Sequence, residues 1–344
     1  MSLKKSTIYD IAKACNMSTA TVSRALNNTG YPVNEKTKAL ILKTAKELHY
    51  TPNMFGKNLK TRQSKDIGVI VPNISNPYYS TLLQGVYDDA ISRGYNPILL
   101  NSFRNHEIET KNIDTLMQKQ VCGIIIVSIS QNSSAIQRAL DYGCPVVVVE
   151  QDIDVNCIKV GFNFLKGAYL ATQHLIENNH RKIGFIGAPL DRPSRVKMLN
   201  GYKQCLMEHQ IPINEDYIML ENEENDVGQI YEFKNGIAAA KAFSNMKEYP
   251  TGYICINDMT ALGAIKQFNK SALNVPEHIS VIGFDNIPYA EISTPELTTI
   301  DQCAYDMGSF SARTLIESIE DPGKPHFSVT MEPSLVIRNT VKKI

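Results

Sequence analysis

Between Thr7 and Asn27 the chain carries side chains suited to reading a surface rather than to catalysis. Thr19, Ala20, Thr21, Ser23, Arg24 and Asn27 offer hydroxyls, a methyl, an amide and a guanidinium, while the interleaved Val22, Ala25 and Leu26 are apolar. On a helix the first set points outward and the second inward. A face of such small residues fits a DNA major groove with its N-terminal end toward the bases; threonine methyls can touch thymine, and Arg24 can bond guanine or phosphate. The pattern alone fits an ordinary surface helix pair equally well.

The elements that must hold this face are short. Thr7 reads as the N-cap of a first helix, with Asp10 three residues on completing a capping box. Ile11, Ala12 and Cys15 form its inward side, and Asn16 suits the turn because a short polar side chain tolerates unusual backbone angles. Ser18 then caps the second helix. Asn28-Thr29-Gly30-Tyr31-Pro32 reads as a loop. Asn34 caps a third helix whose Ile41, Ala45 and Leu48 recur at helical spacing and close a three-helix core.

Charge singles out the same region. The chain is neutral overall, yet residues 1–65 hold twelve Lys and Arg against three Asp and Glu, a net of about +9 that the rest balances with about −9. A basic head attracts phosphates in a salt-sensitive, sequence-independent way, and an acidic remainder stays off them.

Thr51-Pro52 starts a segment through Lys60 that contains Gly56 and Asn58, too short and too poor in helix propensity to persist alone in water. Leu59 is apolar with no local core to enter. It reads either as a stray leucine in a flexible linker or as a wedge in a hinge that folds on DNA.

From Asp66 the pattern changes to apolar runs alternating with amphipathic stretches. Runs at 67–71, 97–100, 123–127 and 145–149, and again at 182–186, 217–220, 252–256 and 280–284, predict strands buried on both faces. Helices are expected at 79–93, 107–120 and 133–142, then at 167–178, 195–208, 230–244 and 259–268. Repeated strand-helix units predict α/β architecture with two doubly wound parallel sheets and a cleft between two lobes. Ligands of such sheets sit beyond the carboxyl ends of the strands. The residues there are Asn76 to Tyr79, Asn101, Ser102, Ser128, Glu150, Gln151, Asp191, Arg192, Asn257, Asp258, Asp285 and Asn286. Aromatic rings beside amides and carboxylates suit a polyol such as a sugar, although each residue singly also reads as a turn former or helix cap.

Thr7-Ile8-Tyr9-Asp10-Ile11-Ala12, Ser18-Thr19-Ala20-Thr21-Val22-Ser23-Arg24 and Tyr50-Thr51-Pro52-Asn53 resemble the lactose/galactose repressor (LacI/GalR) family, and the likeness runs through nearly the whole chain. The resemblance implies a helix-turn-helix head over 1–50, a hinge over 51–65, and a two-lobed effector-binding and dimerisation core over 66–344 like type I periplasmic binding proteins. Thr19 and Ala20 fall on the positions that set most operator preference, and Thr21, Ser23 and Arg24 on the remaining groove contacts. Thr7, Tyr9, Asn27, Tyr50, Asn53, Lys57 and Lys60 complete the expected DNA-binding set, and Leu59 falls on the intercalating leucine. Gly56 stands where the family has alanine, which raises the cost of ordering the hinge by up to about 1 kcal/mol.

Within the core, Asn257-Asp258 and Gly283-Phe284-Asp285 resemble the family's effector-binding strand ends. Tyr78, Tyr79, Ser128, Gln151, Asn163, Lys197 and Met198 complete the expected effector set. Two positions depart from the family: Met198, with Lys197 beside it, replaces an arginine three residues before Gly201-Tyr202, and Asn163-Phe164 replaces Asp-Asn. The expected effector is a sugar or sugar derivative, and these two departures imply that it is atypical or absent; the expected DNA partner is a pseudo-palindromic operator bound by a homodimer, without cofactor, metal or membrane contact.

Seven cysteines without paired short spacing read as reduced, buried thiols. No apolar run reaches the roughly 20 residues that span a bilayer, so a cytoplasmic protein is expected. The competing function is a sugar-handling enzyme or a cytoplasmic sugar-binding protein on the same core. The chain lacks a Gly-rich phosphate loop, His-Glu-x-x-His and Gly-x-Ser-x-Gly, which removes the enzymes those motifs serve.

Overall fold

The computed structural model describes residues 6–27, 33–50, 64–221 and 231–344. Its contacts divide the chain into two units, Met1–Gln63 and Ser64–Ile344. The hinge positions Asn53, Lys57, Leu59 and Lys60, the loop at 28–32 and the Asn27 side chain lie outside the described residues.

In the first unit, α1 (Ile8–Ala14), α2 (Thr19–Asn27) and α3 (Glu35–Glu47) surround a core of Ile11, Ala12, Cys15, Val22, Ala25, Ile41 and Ala45. The expected caps form. The Asp10 carboxylate accepts from the Thr7 backbone N–H and hydroxyl at 2.7 Å each, Ser18 Oγ accepts from Thr21 N–H at 3.1 Å, and Asn34 Oδ1 accepts from Lys36 N–H at 3.0 Å. Asn16 takes the left-handed turn at φ 53°, so α1 ends where a short amide side chain can end it.

The second unit alternates strands and helices through β1 (Asp66–Val71), α4 (Pro77–Ser92), β2 (Asn96–Asn101), α5 (His106–Gln118), β3 (Gly123–Val127), α6 (Ser134–Asp141), β4 (Val146–Val149) and β5 (Ile158–Phe162). Next come α7 (Phe164–Glu177), β6 (Ile183–Ile186), α8 (Pro193–Glu208), β7 (Ile218–Met219), α9 (Tyr231–Ser244), β8 (Gly252–Cys255), α10 (Asp258–Lys270) and β9 (Ser280–Asp285). The C-terminal part adds α11 (Pro288–Ile292), β10 (Thr298–Asp301), α12 (Ala304–Glu320), β11 (Ser328–Met331) and β12 (Ser334–Val336). Two six-stranded sheets result, in the orders β11-β5-β4-β3-β1-β2 and β12-β10-β9-β8-β6-β7. Every pair is parallel except β10 with β12.

That antiparallel edge corrects the expectation of wholly parallel sheets. It arises because the chain does not complete one lobe before starting the other. It crosses between lobes after β5, after β10 and between β11 and β12, so the last strands return to both sheets. At the first crossing Asn163 N–H donates to Met331 O at 3.0 Å, which ties it to the third.

The central strands are buried along their length, as continuous apolar runs require. Helices pack in close pairs over the sheets. A Cβ on Gly201 of α8 would lie 2.1 Å from Leu165 O of α7, so this approach needs glycine. Two helix faces are thereby brought within backbone contact, and they set the position of Arg195 and Met198 one to two turns earlier. All seven cysteines are free, five buried and Cys122 and Cys303 half-buried. Among the described residues no helix is long and apolar enough to cross a membrane.

Candidate DNA-reading face and inter-lobe cavity

On α2 the buried side is Val22 and Ala25, leaving Ala20 and Arg24 exposed and Thr19, Thr21 and Ser23 half-exposed. Thr21 shares a 2.8 Å hydrogen bond between hydroxyls with the cap Ser18, which orients its methyl along the helix start. Thr7 is exposed at the start of α1 and Tyr9 is 72% exposed. Tyr50 is different: it packs against the three-helix core, and its N–H donates to Ala45 O at 2.9 Å as α3 ends. A face of small polar groups, one aromatic ring and one guanidinium is thus presented by a rigid three-helix support.

In the second unit a cavity of about 100 Å³ lies between the lobes, beyond the carboxyl ends of their strands. Tyr78, Tyr79, Met198, Asn257 and Asp285 line it together with Asn76, Arg104, Glu150, Phe164, Arg192, Tyr231, Glu232, Asn235, Thr260 and Gln302, among others. Lobe one reaches it through the start of α4, where Asn76 caps the helix by accepting from Tyr78 N–H at 3.0 Å and Pro77 follows at the first helical position. That pairing of cap and proline begins α4 two residues before the expected start and points both tyrosines at the strand ends. The Tyr78 hydroxyl donates to Glu150, and the Tyr78 and Tyr79 rings meet edge to face at 5.2 Å.

Two carboxylates of this cavity, Glu150 and Asp285, are electrostatically stressed. Burial pushes the Glu150 carboxyl up to about 7, against the Tyr78 hydrogen bond and the Arg192 charge. Burial and the negative charges of Asp258 and Glu150 push Asp285 well above the carboxylate range, although Gln302 Nε2 donates to it. Both carboxylates sit on unusual backbone, Glu150 at φ 62° and Asp285 at φ 120°, of the kind that clusters at functional sites. Arg104 of lobe one forms an ion pair with Glu232 of lobe two, and Asn76 Nδ2 reaches the same carboxylate at 3.4 Å. This pair closes one side of the cleft directly across the lobes.

Five expected effector residues lie elsewhere. Asp258 is wholly buried behind Asp285. Its Oδ2 accepts from Ile287 N–H at 2.8 Å and its Oδ1 from the Thr299 hydroxyl at 2.5 Å, so it fastens α10 to the turn after β9 and to β10. Gly283 makes room for it, since a Cβ there would lie 2.1 Å from Asp258 Oδ1. The Ser128 hydroxyl donates to the buried Glu109 at 2.8 Å, which joins the end of β3 to α5. Gln151, Asn163 and Lys197 line a neighbouring cavity of about 420 Å³. Asn163 Oδ1 caps α7 through Lys166 N–H at 3.1 Å, and its Nδ2 donates to Glu332 at 3.2 Å.

Asn76, Glu150 and Arg192 were among the strand-end candidates, and the cavity contains all three; other cavity residues were not anticipated. Gln302 follows β10, whose polar sequence Thr-Thr-Ile-Asp gives no apolar run to reveal it. Arg104 lies in the loop after β2, and Tyr231, Glu232 and Asn235 come from the first turns of α9, where only the fold brings them to the cleft.

Residues 7–53 match the family model for bacterial regulatory proteins of the LacI family, and residues 172–341 match that for the periplasmic binding protein-like domain. The HTH-type transcriptional repressor PurR of Histophilus somni is 33% identical over 341 residues, 98% of this chain and 99% of that protein. Among solved structures, the lac repressor dimer bound to operator and the anti-inducer ONPF superposes with TM-score 0.82 at 25% identity, over 98% of this chain and 100% of that one. A LacI family transcriptional regulator from Enterococcus faecium with bound ribose gives TM-score 0.71 at 27% identity, over 81% and 99%.

Proposed function

The chain belongs to the LacI family of bacterial regulatory proteins, and from that premise we propose that it is a cytoplasmic, homodimeric repressor whose operator affinity is set by a carbohydrate-type ligand between the lobes. The observation that carries this reading is the union in one chain of a basic helix-turn-helix unit with a two-lobed core whose polar cavity lies at strand ends of both sheets. Thr19, Ala20, Thr21, Ser23 and Arg24 read base edges; Thr7, Tyr9 and the basic residues of the head hold phosphates. Leu59 wedges into the minor groove between two half-sites related by the dimer axis.

Ligand binding couples to this event through the three crossings. A cavity of about 100 Å³ is smaller than the roughly 300 Å³ at which ligand pockets begin, so the lobes part to admit a sugar and the Arg104–Glu232 pair opens with them. Movement of lobe one relative to lobe two changes the separation of the hinge segments in the dimer. A coupling of about 1 to 3 kcal/mol changes operator occupancy by about 5- to 150-fold.

Removal of residues 1–65 tests the division of labour. Ligand binding by the remaining core is expected to persist while DNA binding disappears; retention of DNA binding by the core, or loss of both activities in a core that still folds, would contradict it.

A further inference from the structure

We infer that the inter-lobe cavity is built for a hydroxylated ligand bearing a protonated amine, an amino sugar or a close relative, with Glu150 and Asp285 as the partners of its ammonium group. This inference rests on the carbohydrate reading above and narrows it. Three carboxylates and three guanidinium groups line the cavity, but they are not equivalent. Arg104 is committed to Glu232 across the lobes and Arg195 to Asp191 at 2.8 Å, while the charge of Arg192 acts on Glu150. Glu150 and Asp285 reach the cavity from opposite lobes, at the ends of β4 and β9, and the ion pairs the structure shows leave both of them out. A fourth carboxylate, Asp258, lies outside the cavity behind Asp285, and its oxygens already accept from Ile287 N–H and the Thr299 hydroxyl. Ionised together, the half-buried Glu150 and the buried Asp285 repel across the cleft unless a proton or a cation intervenes.

Two buried polar atoms point to hydroxyls on the same ligand. Thr260 Oγ1 and Gln302 Oε1 line the cavity, belong to side chains 0% and 5% exposed, and have no hydrogen-bond partner among the described residues. A hydroxyl satisfies the Gln302 carbonyl as donor and accepts from Thr260. Orphaned groups of this kind are rare in folded proteins and mark a missing partner. The tyrosine rings supply stacking surface for a sugar ring, and their phenols are held protonated by burial, so they add no negative charge.

Titration calorimetry of the full-length protein at neutral pH tests the inference with glucosamine, galactosamine and 3-amino-3-deoxyglucose, each against its neutral parent sugar. At least one amine is expected to bind about tenfold tighter than its parent, as a charge-assisted bond in a buried site implies. That preference is expected to fall below about threefold in Glu150→Gln and in Asp285→Asn, each checked for native circular dichroism. Two variants are named so that misfolding of one leaves the other informative. Binding of neutral sugars equal to or tighter than that of the amines overturns the inference and leaves the carbohydrate reading standing. Failure of amines and neutral sugars alike overturns both, and a preference that survives in both folded variants removes Glu150 and Asp285 from the role.

Discussion

Glu150→Gln should stabilise the protein at alkaline pH and leave it unchanged near pH 5. Burial raises the folded carboxyl from 4.5 to about 7, so the native state binds a proton that the unfolded chain releases. With the folded pKa above the unfolded one, stability is greatest below 4.5, falls as pH rises from there through about 7, and then levels off. A shift of this size corresponds to about 3 kcal/mol, and because the carboxyl is partly open to the cavity about 2 kcal/mol between pH 5 and pH 8 is the expected share. Glutamine keeps the oxygen that accepts from Tyr78 and cannot ionise. The difference between variant and wild type should therefore grow from near zero at pH 5 to about 2 kcal/mol at pH 8. The chain has no tryptophan, so urea unfolding is followed by tyrosine fluorescence and far-ultraviolet circular dichroism. A difference independent of pH, or one favouring the wild type at pH 8, would refute the placement of a buried, proton-holding carboxyl at the end of β4.

Ser128→Ala removes the hydroxyl that donates to Glu109 and should cost about 1 to 3 kcal/mol in core stability with unchanged ligand affinity, as a buried carboxylate loses a partner. Gly201→Ala forces α7 and α8 apart, since its Cβ would meet Leu165 O at 2.1 Å; a loss of at least about 2 kcal/mol in urea unfolding is expected. Thr7→Ala should weaken the head by about 1 kcal/mol, seen as a lower melting temperature of that unit, because the Asp10 cap loses its hydroxyl partner. Leu59→Ala should reduce affinity for the selected operator at least about tenfold while leaving a shuffled duplex almost unaffected, as a wedge that acts only in the specific complex requires.

Much of this molecule is legible in its sequence where local chemistry decides the outcome. Asp10, Asn16, Ser18 and Asn34 act within four residues of their own positions, so the helix boundaries of the head follow from side-chain type. The buried strands of the two sheets stand out because both of their faces are apolar. Legibility fails where the chain returns from a distance. β5 alternates around Lys159 and Gly161, and β10 to β12 are short and rich in hydroxyls, so neither run advertises a strand. Gln302 was hidden with them. Asp258 and Ser128 sit at strand ends as ligand-binding residues do, yet their partners Thr299 and Glu109 lie 41 and 19 residues away. Those long-range bonds decide their present role, and spacing along the chain carries no trace of them.

Selection of bound duplexes from a random pool, followed by affinity measurements on the winner and on a shuffled control at one salt concentration, tests most directly whether this chain reads DNA sequence. Recovery of a pseudo-palindrome with a flexible pyrimidine-purine step at its centre, bound at least about 1,000-fold tighter than the control, is expected. Equal affinity for winner and control would contradict it, reducing the basic head to a nonspecific anchor.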